Sequence, residues 1–204
     1  MSSIIRVLQD VATKRGLLDE GEQVTAAVAY RLLRDMPYVR ASDRRPETVI
    51  REWRGTCSGK HYALKAIFEE LGLPVSLMAV THEFTPENSP WLPPHLKTEV
   101  SYAPVPDVHN FLRVQLDPPD GDWMTVDATW PSAARTLGLP VNIAFRPGQD
   151  QVIACEPIEV FHVPEDEDPQ EFKERLVQLH AGEQAARRDA FIRALSDWLA
   201  TNLG

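Results

Sequence analysis

Arg54-Gly55-Thr56-Cys57-Ser58-Gly59-Lys60-His61-Tyr62-Ala63-Leu64-Lys65-Ala66-Ile67-Phe68-Glu69-Glu70-Leu71-Gly72-Leu73-Pro74-Val75 carries a start signal, a helical body and a stop signal in one run. Gly55 breaks whatever precedes it. Ala63, Ala66, Ile67 and Leu71 recur at helical spacing, and Gly72 with Pro74 ends the helix. Cys57 therefore opens a helix. Backbone N–H groups at a helix start point toward that sulfur, and the helix dipole favours the thiolate there.

Upstream, the chain reads as helical. Ile4, Val7, Leu8 and Val11 keep the helical period up to Gly16, and a second helix is expected over 21–35 with Val24, Ala27, Val28, Leu32 and Leu33 on one face. Pro46 suits a first helical turn for a third piece running through Val49, Ile50 and Trp53. Downstream, the pattern changes to strands. Val75–Phe84 is apolar and β-branched, 108–116 alternates, and 123–128 and 152–163 are strand-like. Asp117-Pro-Pro-Asp-Gly-Asp122 reads as a hairpin link. Helices first and strands afterwards predict an α+β fold with an antiparallel sheet. The stretch 85–106, with six prolines, is expected to be an irregular surface loop of the kind that forms lids. Asp168-Pro169-Gln170-Glu171 is a helix start, with Asp168 as N-cap. A last helix is expected over 183–199, burying Ala186, Ala190, Ile192, Leu195 and Trp198 or a subset of them.

The 204 residues suit one domain, spanning 1–204, with a helical extension over 168–204. Neither a membrane-length apolar run nor a secretory pattern opens the chain at Met1, and two cysteines make no disulfide framework. A reduced, cytoplasmic protein is the expectation. The net charge of −9 lies wholly in residues 105–204, where 17 acids face 8 bases. Nucleic acid is a poor partner for such a chain. Residues 31–54 are the local exception, with seven arginines against four acids; they are either a solvated surface or a feature favouring an anionic substrate.

Cys57 has two partners in the sequence. His109 sits early in one predicted strand and Asp127 at the end of the next. The two ends of a hairpin pair lie side by side, so these residues can be cross-strand neighbours. A helix start packed on that end gives nucleophile, base and orienter. His61, one turn along the helix from Cys57, is a second histidine within reach. Cys57, His61 and His109 are also metal ligands by type, but no metal-type Cys/His spacing repeats. Trp53, Ser58, His61 and Asn110 are candidates for substrate or oxyanion contacts. Cys155 reads as a strand-core cysteine, His82 and His95 as surface residues, and His162 and His180 as structural. No nucleotide loop or metal motif appears, so no cofactor is expected.

Arg54-Gly-Thr-Cys57 with its helix, His109-Asn-Phe-Leu-Arg-Val114 and Trp123-Met-Thr-Val-Asp127-Ala-Thr129 together resemble the nucleophile, histidine and aspartate segments of the transglutaminase-like superfamily, over about 46–131. Phe111 stands where that family usually has Trp, and Lys60 where an acidic or aromatic residue is common. The arylamine N-acetyltransferases are similar, but Asp127-Ala-Thr-Trp-Pro131 lacks their ending. The resemblance implies a papain-like core with Cys57 as nucleophile, His109 as base and Asp127 as orienter. It further implies acyl transfer or amide hydrolysis through a thioester, on a peptide, protein or small amide or thioester. The alternative is a non-catalytic domain of the same fold that binds a peptide or protein.

Overall fold

A computed structural model describes residues 3–117, 119 and 121–203 of the chain. Its architecture is mixed α+β: among the described residues, seven α-helices surround a four-stranded antiparallel sheet. The organising helix is α4 (Cys57–Glu70), buried on nearly every side from Ser58 to Leu64 and again at Ile67 and Phe68. A helix covered all round needs no polar face. The polar residues of its first turns are therefore committed to partners inside the protein. α3 (Pro46–Glu52) starts on Pro46 and ends at Trp53, which holds a left-handed φ of 54°. Gly55 then turns the chain: its N–H donates to Pro37 O at 3.1 Å, and a Cβ there would sit 3.2 Å from both Lys60 and Val49.

α1 (Ile4–Lys14) and α2 (Ala26–Arg34) pack on this pair. α2 starts later than its periodicity suggests, because Thr25 accepts from the Val28 N–H and caps it there. It buries Tyr30, Leu32 and Leu33, while Ala27 faces solvent. The sheet runs β3-β2-β1-β4, from β1 (Val75–Phe84), β2 (Val105–Gln115), β3 (Trp123–Val126) and β4 (Glu159–His162). Leu112 pairs with Val126, so His109 and Asp127 fall on the same face as diagonal neighbours at the end of that pairing. One hydrophobic cluster joins α1–α4 to Leu77, Ala79, Leu112 and Val126, and a second gathers Phe84, Val105 and Trp130 with the later helices. No helix among the described residues is long and apolar enough to cross a membrane.

Several expectations are corrected. The Pro-rich stretch is not wholly irregular: it contains α5 (Pro94–Tyr102). Its prolines stand before the helix or at its first turn and again after it, where no intrahelical N–H is lost. The proline-free interior buries Leu96 and Val100 at i, i+4. Residues 152–158 form no strand. Two of their donors go to side chains, Val152 N–H to Asn142 Oδ1 at 3.1 Å and Ala154 N–H to Asp127 Oδ2 at 2.8 Å, and only Ile158 N–H reaches a β1 carbonyl, Thr81 O at 2.8 Å. Cys155 is consequently half-buried in a bend. Pro118 and Asp120 of the hairpin link, with Met1 and Ser2, lie outside the described residues.

The chain ends in α6 (Pro169–Ala181) and α7 (Ala185–Leu203). Asp168 accepts from the N–H groups of Gln170 and Glu171, at 2.8 and 3.0 Å, and Pro169 occupies the first turn. Asp168→Ala is expected to lower unfolding stability by about 1 kcal/mol, the usual worth of an N-cap; a urea melt with unchanged slope checks it. α7 buries Arg188, Phe191, Ile192, Leu195 and Leu199. Its inward face is thus turned away from the expected Ala186 and Ala190, which are exposed. Alanine gains little from burial, whereas Phe191 and Leu199 gain much, and Arg188 is drawn inward by the buried Asp107.

Candidate active site

The first turn of α4 is fixed by two buried polar side chains. Lys60 donates from Nζ to the carbonyls of Arg34, at 2.7 Å, and Thr129, at 3.0 Å. His61 Nδ1 donates to Cys57 O at 2.7 Å, and its Nε2 accepts from the Ala128 N–H at 2.9 Å. These bonds set the neutral tautomer. Burial pushes the His61 imidazole down to about 4, against the pull of Asp127. Lys60 is likewise pushed down by burial, to about 7. Together the two residues tie the helix start to residues 128 and 129, which follow Asp127 directly. With both ring nitrogens engaged and its side chain sealed, His61 is a positioning group behind the cysteine, with no nitrogen left for substrate or metal.

Cys57 lies at the front of this turn, 5% exposed. Thr56 makes no side-chain cap there, so its hydroxyl does not occupy the helix's first N–H groups. His109 Nε2 donates to Asp127 Oδ2 at 2.8 Å, which leaves Nδ1 as the ring nitrogen not engaged by the carboxylate, and the imidazole interacts with Cys57. Asp127 is itself over-determined. Besides His109 it accepts from Thr129 N–H at 3.0 Å and Ala154 N–H at 2.8 Å. Burial alone would raise the Asp127 carboxyl, but His109 and these donors hold it well below the usual carboxylate range. Burial alone would lower His109, but Asp127 and Cys57 lift it to about 10.

Lys173, from α6, is a partner the sequence reading missed. It is 3% exposed, and its Nζ lies 2.7 Å from Ser58 Oγ and 3.4 Å from Cys57 Sγ. Ser58 passes the interaction on, donating to Asn110 Oδ1 at 3.0 Å; Asn110 Nδ2 then donates to Met78 O at 3.1 Å. Burial would raise the Cys57 thiol, but the Lys173 ammonium and the His109 imidazolium hold it well below the ordinary thiol range. Both charges favour the thiolate over the thiol at Cys57. Burial depresses Lys173, and the Cys57 thiolate opposes this.

Of the sequence candidates, the structure brings Cys57, His109, Asp127, Ser58 and Asn110 into one network and places His61 behind it. Trp53 belongs elsewhere: it packs in the α1–α4 core with the Arg15 guanidinium 5.3 Å from its ring. His82, expected at the surface, is buried against Phe84, with its ring centre 6.4 Å from that of His109 and Asp107 beside it. His95 is exposed. Arg188 of α7 closes the far side, its Nε 2.7 Å from Asp107 Oδ1. Only about 10 Å³ of free space remains over the sulfur, walled by Tyr38, Arg40, Lys173 and Arg188 among others. The cover is therefore α6 and α7, and no residue of 85–106 lines that space. Lys173 shares a helix face with Leu176, three residues on, and the structure buries that face. Among the described residues, no group of three or more His, Cys, Asp or Glu side chains is arranged to hold a metal ion. No protein-family model matches the chain, and no curated protein gives a significant match.

Proposed function

We propose that this protein is a cysteine-dependent acyl-transfer enzyme of papain-like, transglutaminase-like architecture, with Cys57 as nucleophile, His109 as acid and base, and Asp127 as orienter. The observation that supports this reading is the buried His109–Asp127 pair, 2.8 Å apart, beside Cys57 at the start of α4. The thiolate attacks the carbonyl carbon of an amide or thioester, forming the C–S bond. The unpaired N–H groups of the first turn of α4 are the donors for the developing oxyanion in this reading. His109 gives its proton to the leaving nitrogen or sulfur as that bond breaks, which leaves an acyl-Cys57 thioester and a neutral imidazole. Water or an amine then attacks the thioester. His109 takes the proton from this nucleophile, the C–S bond breaks, and the thiolate returns. Water yields a hydrolase and an amine a transferase. No cofactor takes part in these steps, and the acyl donor is a peptide, protein or small amide or thioester.

The second reading, a binding domain built on the same fold, draws on the cover that α6 and α7 lay over the sulfur. One experiment separates the two. Incubation with p-nitrophenyl acetate is expected to place a single acetyl group on Cys57, found by peptide mass mapping, and to release nitrophenol in a burst followed by turnover. His109→Ala is expected to lose both. Nitrophenol release that is unchanged in Cys57→Ala defeats the enzyme reading, as does the absence of any acyl-Cys57.

A further inference from the structure

The chain is acidic, yet the small space over Cys57 is lined by Arg40, Arg44, Lys173 and Arg188 against one carboxylate, Asp107, while the adjoining cavity adds Asp43 and Glu174. Arg40 and Arg44 wall the small space over the sulfur and also the adjoining cavity of about 280 Å³, and Thr56 is common to both. Arg188 is committed to the buried Asp107. Arg40 and Arg44 have no such buried partner. Arg44 Nη1 holds Glu174 Oε1 of α6 at 3.0 Å, and Arg40 Nη2 holds Asp189 Oδ1 of α7 at 3.0 Å; Asp189 also meets Arg188 Nη1 at 2.8 Å. The carboxylate side chains are 68% and 46% exposed. Exposed pairs of this kind contribute only about 0–1 kcal/mol, so another anion can replace them. Nor do they anchor the cover, which is held by Phe172, Leu176, Phe191 and Ile192 in the two cores. The arginine-rich stretch 31–54 thus delivers two exchangeable guanidinium groups to the mouth of the site, each already occupied by a carboxylate.

We propose that Arg40 and Arg44 recognise a carboxylate of the substrate, and that Glu174 and Asp189 occupy them until it arrives. The acyl donor is then one that carries a free carboxylate within a few bonds of the scissile carbonyl. Guanidinium forks match carboxylate geometry, and carboxylates are what the resting site holds there. This inference rests on Cys57 being the nucleophile.

Iodoacetate and iodoacetamide test it, because they are near-isosteres that differ in charge and need no turnover. Each rate at Cys57 is read by mass mapping at pH 6 and divided by the rate of N-acetylcysteine with the same reagent. The normalised iodoacetate-to-iodoacetamide ratio is expected to be about tenfold above unity, as a single charge-assisted contact supplies. Arg40→Gln with Arg44→Gln is expected to bring it down several-fold. Glu174→Gln with Asp189→Asn is expected to raise it several-fold, by freeing the arginines. Arg51→Gln, on the outer face of α3, is expected to leave it unchanged. A ratio near unity, or one that the Arg40 and Arg44 substitutions do not move, overturns the proposal while fast iodoacetamide alkylation leaves the nucleophile reading intact. If Cys57 is slow with both reagents, in the parent and in the Glu174/Asp189 variant alike, the nucleophile reading falls and the proposal falls with it.

Discussion

Asp127→Asn is expected to cut acyl-enzyme formation roughly ten-thousandfold, the scale on which loss of an orienting carboxylate acts, and to cost about 3–5 kcal/mol of stability. The two effects share a cause. Each carboxylate oxygen of Asp127 receives at least one N–H: Oδ1 from Thr129, and Oδ2 from His109 and Ala154. An asparagine has only one oxygen. Whichever way its amide turns, an NH₂ group faces an N–H in a site that is almost sealed, and at least one buried donor goes unpaired. His109 then loses the partner that lifts it to about 10, and burial takes it downward. A neutral imidazole no longer supports the thiolate, so the midpoint of the Cys57 alkylation profile is expected to rise from well below the ordinary thiol pKa of about 8.5 toward that value. The stability loss has its own pH signature. A carboxyl held below its unfolded value contributes stability above pH about 4 and loses it as pH falls. His109, held above its unfolded value, contributes fully below pH about 6.5 and loses its contribution as pH rises through about 10. The gap between Asp127→Asn and the parent should therefore be widest between about pH 4 and 6.5 and shrink in stronger acid and in strong alkali. A gap that is flat with pH, or an alkylation midpoint that does not move, would sink this account.

The parts of the site that sequence makes visible are those fixed by local rules. Gly55 and the period after it put Cys57 at a helix start. Strand alternation and hairpin order put His109 near Asp127, which lies one residue beyond the last paired position, Val126. The parts that stay hidden depend on where distant elements dock. Lys173 stands 116 positions from Cys57, and within its own helix a lysine between Phe172 and Glu174 reads as the polar edge of an amphipathic pattern. Its polar partners, Cys57 and Ser58, lie on another element. Arg188 likewise overrides the alanine periodicity of α7 because Asp107 waits inside. The same limit explains α5. Counting prolines in 85–106 suggests an irregular loop, whereas their positions, confined to the flanks and first turn of 94–102, allow a helix. His61 errs in the opposite direction. Its spacing from Cys57 invites a catalytic role, and only the structure shows that both its ring nitrogens are engaged by backbone groups.

Cys57→Ser, usually a gentle substitution, is expected to destabilise this protein by about 3 kcal/mol near pH 7. The serine hydroxyl is neutral throughout the accessible pH range, so the change removes an anion from between two cations. His109 keeps Asp127. Lys173 keeps a bond to Ser58 Oγ, a neutral group, while Asp107, the other nearby anion, is paired with Arg188. Breaking a buried pair by removing one member leaves an uncompensated charge, which is the costly case. Lys173→Met alone removes the other member and leaves the thiolate with His109, so it should cost less and raise the Cys57 thiol. In the Cys57→Ser background, Lys173→Met should cost far less again or stabilise, because it then removes an unpaired ammonium. The double-mutant cycle is accordingly expected to show at least about 1.5 kcal/mol of favourable Cys57–Lys173 coupling, well outside the 0.3–0.5 kcal/mol within which independent sites add. The pH dependence separates this from mere repacking. The parent holds Cys57 below its unfolded value, so the thiolate's contribution to stability grows as pH rises toward about 8.5 and is lost as pH falls. The serine variant has no such contribution, and the deficit against the parent should narrow as pH falls from about 7 to about 5. Urea melts of the four proteins at these two pH values decide it. Additive costs with a deficit that ignores pH would mean that Lys173 is not the counter-ion of Cys57 and that the low-pH thiolate depends on His109 alone.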